Sequence, residues 1–145
     1  MKVAVGFDHG GWTLRETILD TLREDGHEVL DMGADSPAPS DHPDFAIRVA
    51  KAVARGDADR GVLACGTGIG MSIAANKVRG AYAANVSEEY SARMARLHNA
   101  ANIVTLGGRT VGPELARDII RTFLNTDVDP GERYERRRNK IRAEE

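Results

Sequence analysis

The chain has 145 residues, 41% of them hydrophobic and 29% charged, and 20 Lys and Arg against 22 Asp and Glu give a formal net charge of −2. That length suits a single soluble domain with one core, and the charge balance excludes a chain-wide basic field for nucleic acid. A lone cysteine excludes an internal disulfide and suits a reducing compartment. The opening MKVAVGFDHGG is too short in apolar residues for a signal peptide, and no stretch approaches the roughly 18 needed to span a membrane. A cytoplasmic protein with no membrane partner is therefore expected.

Val3 to Phe7 reads as a buried strand ended by Asp8-His9-Gly10-Gly11. A helix is predicted from about Thr13 to Asp25, with Leu14, Ile18, Leu19 and Leu22 at core spacing and Gly26 as its stop. His27 to Met32 is a second strand, followed by a Pro-rich loop over 33–42. Pro43 opens the next helix, striped by Phe45, Val49, Ala50 and Val53. Gly61 to Cys65 is the third strand, followed by Gly66-Thr67-Gly68-Ile69-Gly70 and a short helix over about 71–77. Ala81 to Asn85 is the fourth strand. Ser87 is the expected N-cap of a helix reaching His98, with Tyr90, Met94 and Leu97 facing inward. Ile103 to Leu106 is the fifth strand, Gly107-Gly108 leads to a helix over about 114–124, and residues 130–145 form a charged helix or tail.

Five strand–helix units in alternation predict a parallel sheet with helices on both faces. The loops after the strands then share one rim, where open α/β sheets bind ligands. Most polar residues of chemical interest fall on those loops.

Cys65 ends a buried strand directly before three glycines in five residues. Backbone N–H groups aimed at one spot stabilise an anion and favour a reactive thiolate; the plain alternative is a small core hydrophobe. Thr67 adds a hydroxyl there. GTGIGM is not a dinucleotide fingerprint, because Met71 stands where a third glycine belongs, and no Gly-Lys-Ser/Thr occurs. His98 reads either as a hydrogen-bonded core histidine or as an acid–base group. Asp8, His9, Asp41 and His42 form a weak candidate metal set without tight ligand spacing, and equally suit turns and caps. Arg109 on the rim is the best single phosphate candidate. The tail arginines, Arg133, Arg136, Arg137, Arg138 and Arg142, are interleaved with glutamates as on a solvated helix face.

Four stretches, GFDHGG, CGTGIGMSIAANK, SEEYSARMARLHNAAN and GGRTVG, resemble the ribose-5-phosphate isomerase B family, which includes galactose-6-phosphate isomerase subunits. The resemblance spans nearly the whole chain. It implies a three-layer α/β/α sandwich with a Rossmann-like five-stranded parallel sheet and no cofactor or resident metal. It also implies a homodimer, sometimes paired into a tetramer, with each site built from two chains. Cys65 then matches the base moving a proton between C2 and C1. Gly66, Thr67, Gly68, Ile69 and Gly70 match the loop holding the enediolate oxygens, and His98 matches the acid that opens the sugar ring. Asp8 matches a residue binding sugar hydroxyls or aiding ring opening. His9, Arg109, Arg133 and Arg137 match the phosphate set, and Asn99 a substrate contact from the partner chain.

One branch of the family places Glu where Ile69 stands and lacks the Cys; this chain resembles the Cys-using branch. Ribose-type members often read Asp-Tyr-Pro, with a second Tyr shortly after, whereas this chain has Asp41-His42-Pro43-Asp44-Phe45. His42 is therefore expected to line the sugar end and to influence which sugar fits. Interconversion of D-ribose 5-phosphate and D-ribulose 5-phosphate is the first expectation. The same chemistry on allose 6-phosphate, galactose 6-phosphate or a tetrose phosphate is the second. A metal-dependent hydrolase and a non-catalytic sugar-phosphate or nucleotide binding module are the more distant ones.

Overall fold

The computed structural model describes residues 1–145. In chain order the elements are β1 (Lys2–Phe7), a 3-10 turn (Trp12–Leu14), α1 (Arg15–Glu24), β2 (Glu28–Asp31), α2 (His42–Ala54), β3 (Arg60–Cys65), α3 (Ile69–Ala75), β4 (Ala83–Asn85), α4 (Glu89–Leu97), β5 (Ile103–Gly107), α5 (Pro113–Leu124) and α6 (Glu132–Arg142). The strands form one parallel sheet in the order β2-β1-β3-β5-β4, an α/β fold as expected.

The pleat sorts the core into two layers. Val3, Val5 and Phe7 of β1, Val62 and Ala64 of β3, and Val104 and Leu106 of β5 pack with the buried faces of α1, α4 and α5. The alternate positions Ala4, Leu63, Cys65 and Ile103 pack with α2 and α3 on the other face. The central strands are buried on both sides, which is why they read as unbroken apolar runs.

The chain leaves β1 in one direction for β2 and returns across it to β3. The C-terminal ends of β1 and β3 therefore form a topological switch point, where a crevice opens for ligands. Gly11 shows how closely the two strand exits approach there: a Cβ at Gly11 would lie 2.2 Å from the Ala64 carbonyl oxygen.

Several boundaries differ from the sequence reading. Thr13 and Leu14 lie in the 3-10 turn, and α1 begins at Arg15. β4 starts at Ala83, because the Ala81 N–H closes a turn onto the Val78 carbonyl after Gly80 at φ +85°. α3 begins at Ile69, two residues early. The cap of α4 is Glu88 rather than Ser87: both Glu88 carboxylate oxygens accept the Ser91 N–H, and the Ser91 side chain together with that N–H holds the carboxyl below its ordinary range. The buried face of α4 is Ala92, Ala95 and Arg96, whereas Tyr90 is 64% exposed. Small alanines let this helix lie close on the sheet, so Tyr90 turns outward while Met94 and Leu97 lie half-buried at the margin.

Gly11→Ala forces the β1 and β3 exits apart and is expected to cost about 1–3 kcal/mol, the usual range for overpacking. A lowered urea midpoint at constant m-value is the check; an unchanged midpoint contradicts the close approach.

Candidate active site

Three rim loops meet at the switch point with almost no side chain between them. A Cβ at Gly10 would lie 2.6 Å from Gly66 N, and one at Gly108 would lie 2.3 Å from the Gly10 carbonyl oxygen. The Gly108 N–H donates to the Cys65 carbonyl at 2.7 Å, and the Arg109 N–H to the Gly66 carbonyl at 3.0 Å. Asp8, 5% exposed, closes the first loop: its Oδ1 accepts the N–H groups of Gly10 (2.9 Å) and Gly11 (3.0 Å).

Cys65 sits at the end of β3, 6% exposed. Its Sγ accepts the Gly68 N–H at 3.1 Å. Gly68 adopts φ +81°, a conformation open to glycine at little cost, and a Cβ there would meet Asn85 Oδ1 at 2.2 Å. Thr67 Oγ1 accepts the Ile69 N–H at 3.3 Å. The N–H groups of Gly66, Thr67, Gly70 and Met71 have no partner within the chain. A loop of unpartnered N–H groups beside a sulfur is suited to receive negative charge. The candidate pattern of Cys65 and residues 66–70 is thus gathered in one place.

Three further candidates join it. The His42 ring, at the start of α2, lies against Gly70: a Cβ there would be 2.4 Å from His42 Nε2. The exposed Arg109 side chain reaches over Gly66, where a Cβ would lie 2.9 Å from its Nη1. It pairs with no carboxylate. His9 Nδ1 accepts the Ser40 N–H at 3.2 Å, although the same nitrogen lies 3.9 Å from Asp8 Oδ2. An ion pair there requires a proton on Nδ1, which the Ser40 hydrogen bond opposes. The shorter contact defines the ring, leaving Nε2–H as its donor. No three His, Cys, Asp or Glu residues come together as metal ligands, so Asp8, His9, Asp41 and His42 do not form the candidate ligand set.

The remaining candidates lie elsewhere. Helices that connect parallel strands run back along the sheet, so α4 starts near the rim of Cys65 and ends at the opposite one. His98 caps that far end, and Asn102, four residues on, accepts the Gly61 N–H at the start of β3. Gly61 and Cys65 are separated by about 13 Å of strand. A single chain therefore does not bring His98 and Asn99 to Cys65. Half-buried rather than in the core, His98 stacks on Tyr134 of α6, with ring centroids 4.2 Å apart and planes 8° from parallel. The Arg133 and Arg137 guanidinium carbons lie 4.8 and 5.9 Å from the Tyr134 ring centroid. Asn99 is exposed and donates from Nδ2 to the Met94 carbonyl at 3.3 Å.

The structure separates the adjacent tail arginines. Arg138 is 4% exposed and donates to the carbonyls of His98 (3.1 Å) and Asp129 (2.9 Å) and to Glu135 (2.7 Å). Arg136 and Arg137 are exposed. Tyr134 was not among the sequence candidates; its signal is an aromatic at i+1 from Arg133 and i−3 from Arg137 on a helix polar but for Ile141. The hydrogen bond from Arg138 holds the Glu135 carboxyl below its ordinary 4.5. That contribution is complete above the unfolded value and fades as pH falls through the lower folded one.

Arg138→Ala removes a buried donor from the His98 and Asp129 carbonyls and is expected to cost about 3 kcal/mol, whereas exposed Arg137→Ala stays within about 0.5 kcal/mol. Urea denaturation of the two variants separates them; equal midpoints contradict the anchoring role of Arg138.

The comparisons with known proteins agree with this architecture. The chain matches the family model described as Ribose/Galactose Isomerase over residues 3–141. It superposes on the type B ribose 5-phosphate isomerase of Trypanosoma brucei with a TM-score of 0.96 at 51% identity, covering 99% of this chain and 98% of that one. It is 45% identical over 135 residues to ribose-5-phosphate isomerase B of Escherichia coli strain K12, covering 93% of this chain and 91% of that protein. It is 42% identical over 132 residues to a D-erythrulose-4-phosphate isomerase of Pectobacterium atrosepticum, covering 90% and 87%. Sequence, sheet order and rim architecture together place the chain in the ribose/galactose isomerase family of sugar-phosphate isomerases.

Proposed function

We propose that this protein interconverts D-ribose 5-phosphate and D-ribulose 5-phosphate through an enediolate, at a site completed by a second copy of the chain. The observation that carries the reading is the Cys65 sulfur, which receives the Gly68 N–H beside a loop of unpartnered amides. Aldose–ketose isomerisation needs such a base next to a preorganised anion hole. The Cys65 thiolate removes the proton from C2 of the open-chain aldehyde and returns it to C1. A proton passes from O2 to O1 as the carbonyl moves. The amides of residues 66–70 hold the developing oxyanion, and one such donor is typically worth roughly 3–4 kcal/mol. Asp8 keeps Oδ2 for a sugar hydroxyl, since Oδ1 is taken by Gly10 and Gly11. His9 and Arg109 hold the phosphate from one side.

Ring opening falls to His98, and the rest of the phosphate contact to Arg133 and Arg137, with Asn99 touching the sugar. These residues lie on the far rim and come from the second chain. Supporting this is a face of the right character: β4 pairs on one side only, and Ile69 (54% exposed), Ile73 and Tyr90 lie on the helices beside it. A two-fold axis brings the Cys65 rim of each copy to the His98 rim of the other, giving two equal sites.

The same chemistry on another sugar phosphate is the second reading. A relative named for D-erythrulose 4-phosphate and a family description naming galactose favour it, as does His42 against Gly70.

The test is ketose formation from D-ribose 5-phosphate, with tetrose and hexose phosphates alongside and EDTA present, by wild type, Cys65→Ala and His42→Tyr. Cys65→Ala is expected to lower kcat about 10³-fold or more while inorganic phosphate still binds. His42→Tyr is expected to change the substrate ranking. Full activity in Cys65→Ala removes the thiol from the mechanism, and an unchanged ranking removes His42 from specificity.

A further inference from the structure

Thr105 is the only hydroxyl-bearing residue of the sheet with no exposed surface, and it lies on the same face of the sheet as Cys65. It is in register with Leu63 of β3, so Cys65 is its diagonal neighbour two residues on. A buried hydroxyl is costly unless hydrogen-bonded, and β5 is otherwise apolar or glycine. Here the hydroxyl is used: Oγ1 lies 2.9 Å from the Gly68 carbonyl oxygen and 3.1 Å from Asn85 Oδ1, an amide whose oxygen and nitrogen exchange places on a half-turn. It has a single hydrogen. With that hydrogen on the Gly68 carbonyl, the second contact is a hydrogen bond when the Asn85 amide presents its nitrogen to Oγ1.

Gly68 is the residue whose N–H reaches Cys65 Sγ. Its φ of +81° is one that glycine leaves easily, since no side chain restricts it. The start of α3 supplies one restraint, the Ser72 N–H on the Gly68 carbonyl at 3.0 Å. Thr105 supplies the other from the sheet, so both lone pairs of that carbonyl are held from two elements.

We infer that Thr105 is a positioning residue for the thiol: its hydroxyl, backed by Asn85, pins the Gly68 carbonyl and so keeps the Gly68 N–H aimed at Cys65. The inference rests on the isomerase reading and deepens it. Thr105 hydrogen-bonds to neither Arg109 nor His9, so its effect falls on the chemical step rather than on phosphate binding.

The experiment compares wild type, Thr105→Val, Thr105→Ser and Asn85→Ala, with Cys65→Ala as the reference for the reading itself. Valine keeps the shape and removes the hydroxyl. Thr105→Val is expected to lower kcat about 10- to 100-fold, the scale of a slightly misplaced catalytic group. KM and inhibition by inorganic phosphate stay unchanged, and amide exchange at Gly68 speeds up by NMR. Thr105→Ser is expected to restore kcat. Asn85→Ala, on the exposed edge strand, is expected to give a smaller fall in kcat at unchanged KM, and it carries the test if the valine variant fails to fold. Wild-type kcat in both Thr105→Val and Asn85→Ala overturns the inference. A parallel loss of kcat, phosphate binding and melting temperature that serine does not restore also overturns it, because that pattern marks packing alone. Either result beside an inactive Cys65→Ala leaves the isomerase reading standing; an active Cys65→Ala removes that reading and the inference together.

Discussion

The hydrogen bond from the Gly68 N–H to the Cys65 sulfur is the contact around which the rim is arranged. It requires a left-handed residue three positions after a buried strand end, and it requires the neighbouring loops to come close enough to leave no slack. The glycines at 10, 11 and 108 meet that second requirement, because a Cβ at any of them would lie under 3 Å from a backbone atom of a neighbouring loop or strand. Asp8 fixes the first loop through two N–H groups, and the Cys65 and Gly66 carbonyls fix the third by accepting the Gly108 and Arg109 N–H groups. Preorganisation of this kind matters for an enediolate, since dipoles already in place need no rearrangement as charge develops. The cost is a set of positions with no tolerance for side chains.

On the proposed reading a single chain presents only part of that chemistry. The sulfur, the amide loop, Asp8, His9, His42 and Arg109 stand at one rim, while His98, Asn99 and the Tyr134 platform stand at the other. The division follows from the fold. In a parallel sheet every connecting helix ends on the rim opposite the one where it began, so a residue at the end of α4 is carried away from the strand exits. The His98 end is itself well built. Tyr134 stacks on the imidazole, and buried Arg138 fixes the carbonyl of the same residue. The two contacts give the imidazole a defined orientation at that rim.

Much of this was legible in the sequence. The alternation of β-branched runs and helical stripes specified the α/β class, and the glycines after Cys65 located the rim. What escaped was set by tertiary contact. Ser87 looked like the better cap by residue type, but the extended backbone at Glu88 put a longer carboxylate on the Ser91 N–H. Tyr90 and Met94 read as the inward face of α4 because they are large and apolar, while Ala92 and Ala95 are the residues that lie on the sheet. The three adjacent tail arginines were indistinguishable by spacing, and only burial separates Arg138 from Arg137. Thr105 gave no signal, since a threonine in a strand is ordinary until its partner, a loop carbonyl 37 residues earlier, is known.

The central claim is that each site joins the thiol of one chain to the histidine of another. A hybrid dimer of one Cys65→Ala chain and one His98→Asn chain, co-expressed with different tags and isolated through both, tests it directly. One of its two sites then holds both intact residues and the other holds neither, so the account predicts about half the wild-type activity from two nearly inactive parents. A hybrid no more active than its parents contradicts the account, because a site contained within one chain is broken in both halves of that dimer.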